Sequence, residues 1–452
     1  MLDIEKIEKK YNLSNLKYKN FFIWAYLRGV YGSVSLYKNR EYIITKAEKF
    51  NIYKNILNFK NLFYGFKNWF SKYNYIFFGD TDSLKIINEK YGDRMGHEMI
   101  QLLGEKNFLY IESLNKEKFY SIKDSYYKKV SENFIFIFIK IIQIFLILTQ
   151  KKYKKNILDE INKEFVLDIN YNKFLKKFEA EYFVYSWLFK IYKPKLIVIT
   201  CFTRRTIIKS ANDLNITTIE FQHGVIKSNY AYEVLNKLDR NFSPLYLLVY
   251  GDNDKSYLEP YDYSNNIISI GNYYLNYIKS KNIIIKEFDM FNLKIVVSLQ
   301  SPVAENMNLL INNISLKFPN ILFIVVPRRE IDKKNLNLSK NVKIISKYNY
   351  YEIANECDLH ISSYSTCLIE APFFGLSNIF INFNGLSDYY YKDYINDKSY
   401  NYKVDTEKEL ITLLENIKPK EKCLVMKEHN GFFAADKHIG DFVKRLSFEG
   451  VI

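Results

Sequence analysis

The chain has 452 residues, too many for one ordinary hydrophobic core, so two domains are expected. Hydrophobic residues make up 48% and charged residues 25%, which excludes an intrinsically disordered chain. The net charge of +15 attracts anionic lipid or phosphorylated substrates, although a solvated Lys-rich surface without a partner also fits. Because the sequence has no zinc-ligand spacing, RNA-recognition aromatic motif or basic heptad, no nucleic-acid partner is expected.

The cysteines and the first residues both predict a cytoplasmic protein. Cys201, Cys357, Cys367 and Cys423 are scattered without paired spacing, which indicates reduced thiols. The opening residues, Met-Leu-Asp-Ile-Glu-Lys, lack the apolar core of a signal peptide.

An apolar segment, Phe134–Thr149, is followed by lysines and occupies 134–155 together with them. It is shorter than the roughly 20 residues that a membrane-spanning helix needs, and Lys140 and Gln143 interrupt it. A buried helix fits this pattern. An in-plane membrane helix with a basic flank that binds anionic lipid fits it equally, and would place the protein peripherally at the inner face of the bacterial plasma membrane.

Before Pro194 the chain reads as mostly helical, with short strands near Tyr75–Phe78 and Phe108–Ile111. From Lys195 onwards, short apolar runs alternate with helical stretches, which predicts βαβ units, parallel sheets and the α/β class. We expect an N-terminal domain over 1–280, a second domain over 281–420, and a helix within 421–452 that packs back on the first domain. In parallel sheets, chemistry is expected in the loops at the carboxyl ends of strands.

The first such loop is Glu220-Phe221-Gln222-His223-Gly224. His223 can act as a general base or donate to a phosphate, and Gly224 permits a tight turn beside a ligand. A histidine that only caps the loop is the structural alternative.

Two further loops follow predicted strands. In Ser298-Leu299-Gln300-Ser301-Pro302, free backbone N–H groups at a helix start suit a diphosphate, although ordinary capping by Ser301 also fits. In Val326-Pro327-Arg328-Arg329-Glu330, two guanidinium groups suit a phosphate or a carboxylate, although a solvated charged turn also fits.

The most specific motif runs from Ile361 to Gly375, ISSYSTCLIEAPFFG. A strand delivers a hydroxyl-rich turn at a helix N-terminus, which favours phosphate. Glu370 lies one turn beyond Thr366 on the same helical face, where it could hold a ribose diol. Plain helix capping by the serines is the alternative.

Together these stretches resemble bacterial glycosyltransferases of the GT-B architecture, which build capsule and O-antigen polysaccharides. The resemblance covers roughly Lys195–Asn382 and, more weakly, Tyr75–Asp80, Asp93-Arg94 and Tyr110–Glu112. It implies two Rossmann-like domains with a largely helical N-terminal insertion. It also implies cleft residues Gln222, His223 and Gly224, and nucleotide-binding residues Ser363, Ser365, Thr366, Glu370 and Gly375.

One departure from this family concerns donor binding. Many relatives have His-Pro where this chain has Val326-Pro327. If that histidine contacts phosphate, Arg328 or Arg329 must substitute for it, or the donor is held differently.

The resemblance implies transfer of a sugar from a nucleotide-sugar donor to a glycan or lipid-linked glycan. His223, or an acidic residue near the cleft such as Glu220, would deprotonate the acceptor. The sequence shows no Asp-x-Asp motif in a clear strand-end context, so a metal-independent reaction is expected. No cofactor is expected either. An alditol-phosphate transferase of the teichoic-acid type, a nucleotide-sugar 2-epimerase and a non-catalytic polyanion-binding protein are the alternatives.

Overall fold

A computed structural model describes residues 4–38, 62–113, 122–154, 156–227, 231–234, 240–264, 266–281, 283–395, 399–432 and 439–452. The chain forms two compact units: unit 1 comprises Met1–Tyr273 with Asp436–Ile452, and unit 2 comprises Tyr274–Ala435. Each unit contains one large parallel sheet with flanking helices. The predicted α/β class with two Rossmann-like domains is therefore confirmed.

Within its described residues, unit 1 contains a seven-stranded parallel sheet in the order β11-β10-β9-β8-β3-β6-β7. Two antiparallel hairpins, β1-β2 and β4-β5, stand apart from it. The strands are β1 Lys17–Tyr18, β2 Phe21–Phe22, β3 Tyr75–Asp80, β4 Leu84–Ile87, β5 Lys90–Asp93, β6 Phe108–Ser113, β7 Lys128–Ser131, β8 Leu196–Ile199, β9 Thr217–Phe221, β10 Tyr246–Val249 and β11 Asn266–Ser269.

The central strands are continuous apolar runs because helices cover both faces of the sheet. All four residues of β8, Leu-Ile-Val-Ile, are buried, as are those of β10. The helices of unit 1 that precede unit 2 are α1 Ile4–Tyr11, α2 Trp24–Lys38, α3 His97–Leu103, α4 Glu132–Thr149, α5 Asn156–Glu164, α6 Tyr171–Tyr192, α7 Arg205–Asn212 and α8 Asp252–Leu258.

Helix α4 contains the predicted apolar segment. Ser131 caps its N-terminus by accepting a hydrogen bond from the backbone N–H of Asn133 at 3.2 Å. Among the described residues, α4 is the one helix long and apolar enough to cross a membrane by length and composition, and 28% of it is buried. Its buried residues pack in the same core cluster as α6 and one face of the sheet. The helix is therefore packed against unit 1 along one face and only partly buried.

Unit 2 contains a six-stranded parallel sheet in the order β14-β13-β12-β15-β16-β17, again within the described residues. The strands are β12 Leu293–Ser298, β13 Ile321–Val326, β14 Val342–Lys343, β15 Leu359–Ser362, β16 Ser377–Ile381 and β17 Asn401–Val404. The helices are α9 Tyr273–Ser280, α10 Ala304–Lys317, α11 Tyr350–Asn355, α12 Cys367–Glu370, α13 Leu386–Ile395, α14 Glu407–Asn416 and α15 Lys422–His429.

The segment predicted as one returning helix, 421–452, is divided between the units. Helix α15 belongs to unit 2 and packs against the 3-10 helix Ala371–Phe374. Helix α16, Ile439–Phe448, belongs to unit 1, where it packs against α3. The first crossing between the units also lies earlier than expected, between Tyr273 and Tyr274, near the start of α9.

Candidate functional site

The strand order of unit 2 places the carboxyl ends of β12 and β15 side by side. From β12 the sheet grows outwards to β13 and β14, and from β15 it grows in the opposite direction to β16 and β17. Open parallel sheets bind ligands in the crevice at such a reversal of strand order. The final residues of these two strands, Ser298 and Ser362, therefore mark a candidate donor site.

Ser298 and Ser362 are buried and contact each other directly. Their Oγ atoms lie 2.9 Å apart, and the hydroxyl of Ser362 is also 2.9 Å from the carbonyl oxygen of Ser298. Oε1 of Gln300 lies 3.3 Å from the Ser362 hydroxyl. The Ser298–Pro302 loop and the serine-rich turn, which the sequence analysis treated separately, are thus parts of one site.

A buried histidine that sequence analysis missed supports these serines. Nε2 of His360 lies 2.8 Å from Oγ of Ser298, and Nδ1 lies 3.0 Å from Oδ1 of Asn378. Burial lowers the pKa of His360 to about 4, so the ring is neutral near pH 7. The Asn378 amide nitrogen donates to the Leu368 carbonyl, which leaves Oδ1 to accept from Nδ1. Nε2 of His360 is then the acceptor for Ser298.

The turn after β15 carries a buried hydroxyl that has no partner. Ser363 is fully buried, and its Oγ has no hydrogen-bond partner among the described residues. Ser365 differs, because its Oγ accepts from the backbone N–H of Cys367 at 3.2 Å. Thr366 precedes α12 and makes no side-chain capping bond. A buried polar group without a partner costs about 1–3 kcal/mol, so Ser363 is the hydroxyl of this turn that gains most from a ligand.

Glu370 and Gly375 contribute to packing within unit 2. Glu370 is 3% exposed, and its carboxylate accepts from the Tyr351 hydroxyl, with oxygen–oxygen distances of 3.1 and 3.2 Å. Gly375 has a φ of +84°, and a Cβ added there would lie 2.5 Å from Cβ of Lys422 on α15. Glu370 thus contacts α11, and Gly375 permits close approach of α15. Their nucleotide contacts stay predictions.

The two arginines lie at the carboxyl end of β13, the neighbour of β12. Arg328 and Arg329 are exposed, and the backbone N–H of Arg329 donates to the Asp332 carboxylate at 2.8 Å. In the preceding loop, Gln300 occupies the N-cap of the 3-10 helix Ser301–Val303 and makes no side-chain capping bond. The N-cap position is thus occupied by Gln300, so the predicted capping by Ser301 is not observed. Ser301 is half-buried beside Pro302.

In unit 1, Gln222 and His223 follow β9 and differ in environment. The Gln222 amide nitrogen donates to the Gly224 carbonyl at 2.8 Å and to Asp254 at 2.7 Å, and its oxygen accepts from the backbone N–H of Tyr250. Gln222 is 2% exposed and fixes this loop. His223 is exposed and Gly224 is half-buried. Of the loop's polar side chains, His223 is the one accessible to a substrate.

Glu220 lies in the core of unit 1. Its two carboxylate oxygens accept from the hydroxyls of Tyr232 and Tyr263 at 3.1 and 2.6 Å, and it is 1% exposed. Burial raises the pKa of Glu220 to about 7, although both tyrosine hydrogen bonds and nearby Arg205 oppose the shift. Its catalytic role stays a prediction, and its enclosure favours a supporting role.

A second reversal of strand order, between β3 and β8, creates a polar cavity in unit 1. Arg204, which follows β8, donates to both oxygens of Glu132 at 2.5 and 3.1 Å and to the carbonyl of Gly79 on β3 at 3.3 Å. Beside this pair is a cavity of about 270 Å³. Its lining includes Ser113, Glu132, Phe136, Lys177, Glu181 and Arg204. No local sequence pattern predicts this site.

The expectation about Asp-x-Asp motifs is wrong. Asp80-Thr81-Asp82 begins at the carboxyl end of β3, and Asp252-Asn253-Asp254 begins α8 just after β10. However, Asp80 accepts from the backbone and hydroxyl of Ser83, and Asp254 accepts from Gln222. The described residues contain no group of three or more His, Cys, Asp or Glu side chains that could hold a metal ion.

No known family model matches the chain, and no curated protein matches it. Among solved structures, it is similar to the UDP-GlcNAc 2-epimerase of Methanocaldococcus jannaschii, with 15% identity, a TM-score of 0.47, and 84% of this chain and 100% of that chain covered. The Neisseria meningitidis UDP-GlcNAc 2-epimerase bound to UDP-GlcNAc has 11% identity, a TM-score of 0.44, and coverages of 84% and 100%. The wall teichoic acid polymerase TagF has 14% identity, a TM-score of 0.48, and coverages of 88% and 96%.

Proposed function

We propose that this chain is a glycosyltransferase that moves a sugar from a nucleotide-sugar donor to a surface-polysaccharide acceptor. The observation that carries the proposal is the cluster of Ser298, Ser362 and the unpartnered Ser363 where the strand order of unit 2 reverses. Hydroxyl and backbone N–H donors in such a crevice suit the phosphates of a nucleotide. Exposed Arg328 and Arg329, on the adjacent strand end, provide the positive charge.

The acceptor is assigned to unit 1. Its cavity beside β3 and β8 combines an Arg204–Glu132 pair with Lys177 and Glu181, which are 3.4 Å apart. Such a mixture of donors and acceptors suits the hydroxyls of a glycan. The acceptor is a glycan or a lipid-linked glycan, and the protein is expected to work peripherally at the inner face of the bacterial plasma membrane.

The chemistry needs a base, and the proposed base is His223. It takes the proton of the acceptor hydroxyl as that oxygen bonds to the sugar's anomeric carbon, and the bond from that carbon to the nucleotide phosphate breaks. The departing phosphate is stabilised by the Ser363 turn and the arginines. We propose a metal-independent reaction.

A matched pair of serines tests the donor site. Ser363 and Ser377 are both fully buried with an Oγ that has no partner among the described residues. Ser363 follows the carboxyl end of β15, whereas Ser377 begins the neighbouring strand β16 at the amino ends of the strands. Ser363→Ala should weaken nucleotide binding about tenfold by removing one hydrogen bond to a charged group, and Ser377→Ala should not.

Calorimetry with uridine, cytidine and guanosine nucleotide sugars measures this difference. Equal affinity in the two variants would overturn the assigned donor site. Incubation with and without a lipid-linked acceptor then identifies the reaction. Transfer of a phosphate ester would indicate the alditol-phosphate transferase. A donor epimerised without acceptor would indicate the 2-epimerase, and nucleotide binding with no product would leave a binding protein.

A further inference from the structure

Helix α4 presents a broad apolar face that no described part of unit 1 covers. Ile135, Ile139 and Leu146 are buried in the core cluster that contains α6. On the other side, Ile141, Phe145 and Leu148 are 59%, 61% and 80% exposed. A continuous exposed apolar surface of this kind marks an interaction site on a folded protein.

The same surface continues onto α6. Phe183, Trp187 and Ile191 recur every fourth residue and form an exposed stripe along that helix. Two of them directly precede Val184 and Leu188, which pack with α4 in the shared core cluster. The stripe therefore borders the contact between the two helices and widens the apolar face of α4.

A third element, the 3-10 helix Phe66–Phe70, extends the surface at the N-terminal end of α4. Ring centroids of Phe66 and Phe134 lie 5.5 Å apart, and those of Phe134 and Phe138 lie 5.2 Å apart. Phe70, 5.3 Å from Phe66, is 78% exposed. We call this combined face of Phe66–Phe70, α4 and α6 the apolar platform.

The stretches that carry the exposed apolar side chains of the platform have only positive charges. Residues 62–74, 133–154 and 183–195 contain no Asp or Glu. The exposed lysines in these stretches lie beside the platform and at its ends: Lys67, Lys72, Lys140, Lys151, Lys152, Lys154, Lys190, Lys193 and Lys195. Lysines around an apolar surface complement anionic lipid headgroups.

Helix α4 is held to unit 1 in a way that a membrane-spanning helix could not be. Its first residue, Glu132, is 1% exposed and paired with Arg204. Near its middle, Gln143 is 4% exposed and donates to the Lys173 carbonyl on α6. Full insertion would leave these buried polar groups unpaired. The helix therefore keeps one face on unit 1 and presents the other.

We infer that the apolar platform rests in the surface of an anionic bilayer, with its aromatic and aliphatic side chains among the headgroups and its lysines against anionic lipid. The inference deepens the proposed membrane placement, which rested on α4 alone, by adding α6 and Phe66–Phe70. Phe136 of α4 also lines the polar cavity of unit 1. A lipid-linked acceptor can thus place its head in the cavity while its chain stays in the bilayer.

Vesicle flotation of the full chain, without nucleotide sugar, tests the inference. Vesicles of phosphatidylcholine with phosphatidylglycerol should bind at least about tenfold more protein than phosphatidylcholine alone, and added salt should reduce the difference. Trp187→Ser and Phe70→Ser should each lower binding several-fold. Leu316→Ser, which removes an 83% exposed leucine from α10 in unit 2, is the matched control and should bind normally.

Three outcomes would overturn the inference. The first is that the protein floats with neither kind of vesicle. The second is that Trp187→Ser and Phe70→Ser float normally. The third is that the protein dimerises through the platform and the dimer does not bind vesicles. Circular dichroism of each variant confirms that it is folded. A chain that floats but transfers no sugar would contradict only the proposed function. One that glycosylates a soluble acceptor but does not float would contradict only the platform.

Discussion

His223 is the side chain through which the proposed reaction can be tested most directly. It is exposed after β9, whereas its neighbour Gln222 is locked by three hydrogen bonds. His223→Ala should lower turnover by about 10²–10⁴-fold, the usual contribution of a positioned acid–base group. The melting temperature should change little, because an exposed side chain adds little packing. Steady-state kinetics and thermal unfolding of the same preparation check both parts.

His223→Gln is the control for this prediction. Glutamine keeps hydrogen-bonding groups but cannot accept a proton near pH 7, so it should be as inactive as the alanine variant. Activity retained in either variant, together with a lower melting temperature, would mean that His223 only shapes the loop.

Buried carboxyl groups in unit 1 predict how stability depends on pH. Burial raises the pKa of Glu220 from 4.5 to about 7 and that of Asp254 from 3.8 to about 7. Stability that these groups contribute at low pH is lost as the pH rises through the folded-state pKa. Buried His97 and His360 act oppositely, but their pKa values fall from 6.5 to about 4, so only a small part of their effect remains above pH 6.5. The free energy of unfolding should therefore fall from pH 6.5 through 7.

Urea denaturation across this range measures the fall, and Glu220→Gln should make it smaller. Glu259→Gln, which alters an exposed carboxylate just beyond α8, should leave the fall unchanged. An identical slope in all three proteins would show that Glu220 does not titrate in this window.

For individual residues, the sequence predicted which side chains follow strands but not which groups they contact. Ser298 and Ser363 were predicted as ligand-binding residues, and the fold places both where strand order reverses. The enclosure of Glu370 by Tyr351 was not predictable, because it depends on how α11 packs against α12. The Arg204–Glu132 pair was missed for the same reason: the partners are 72 residues apart, and no local pattern relates them.

Among the connections between elements, Gly375 governs how closely α15 can approach the turn before β16. Gly375→Ala should reduce the free energy of unfolding by about 2–5 kcal/mol, through the left-handed backbone and the clash with Lys422. Gly385 has a φ of +71° but nothing within 4 Å of an added Cβ. Gly385→Ala should therefore cost only the backbone strain, about 1–2 kcal/mol.

Denaturant unfolding of the two variants separates these effects. Equal losses in Gly375→Ala and Gly385→Ala would show that α15 does not need the close approach. In that case Gly375 would be required by its backbone conformation alone.

Most element types could be predicted from periodicity, because a buried parallel strand is a short apolar run. Among the apolar runs that follow Lys195, Leu196–Ile199 forms β8 and Thr217–Phe221 forms β9. The apolar segment was also predicted to be a helix, and one face of α4 is buried whereas the other is exposed. The exposed stripe of α6 was not predicted, because its role as part of a larger apolar surface depends on how α6 packs against α4.

For the whole molecule, sequence predicted two α/β domains but not their strand order. The pairing that creates the cavity of unit 1 joins Tyr75 to Leu196, and the described residues between them include four α-helices and four strands. Nothing local specifies such a pairing, which depends on the packing of the complete sheet. The division of 421–452 depends on tertiary packing in a similar way, since α15 and α16 read as one segment but pack in different units.

The path of the chain has a consequence for its synthesis. Unit 2 is inserted into unit 1, because α16 follows unit 2 in the chain and packs against α3. Tyr246 likewise stacks edge-on with Phe442, at 5.2 Å between ring centroids, and its hydroxyl donates to Glu449. As the ribosome releases the chain from its N-terminus, these contacts cannot form until all of unit 2 has been translated. The domain begun first is therefore completed last, and the apolar platform leaves the ribosome before its own domain has closed.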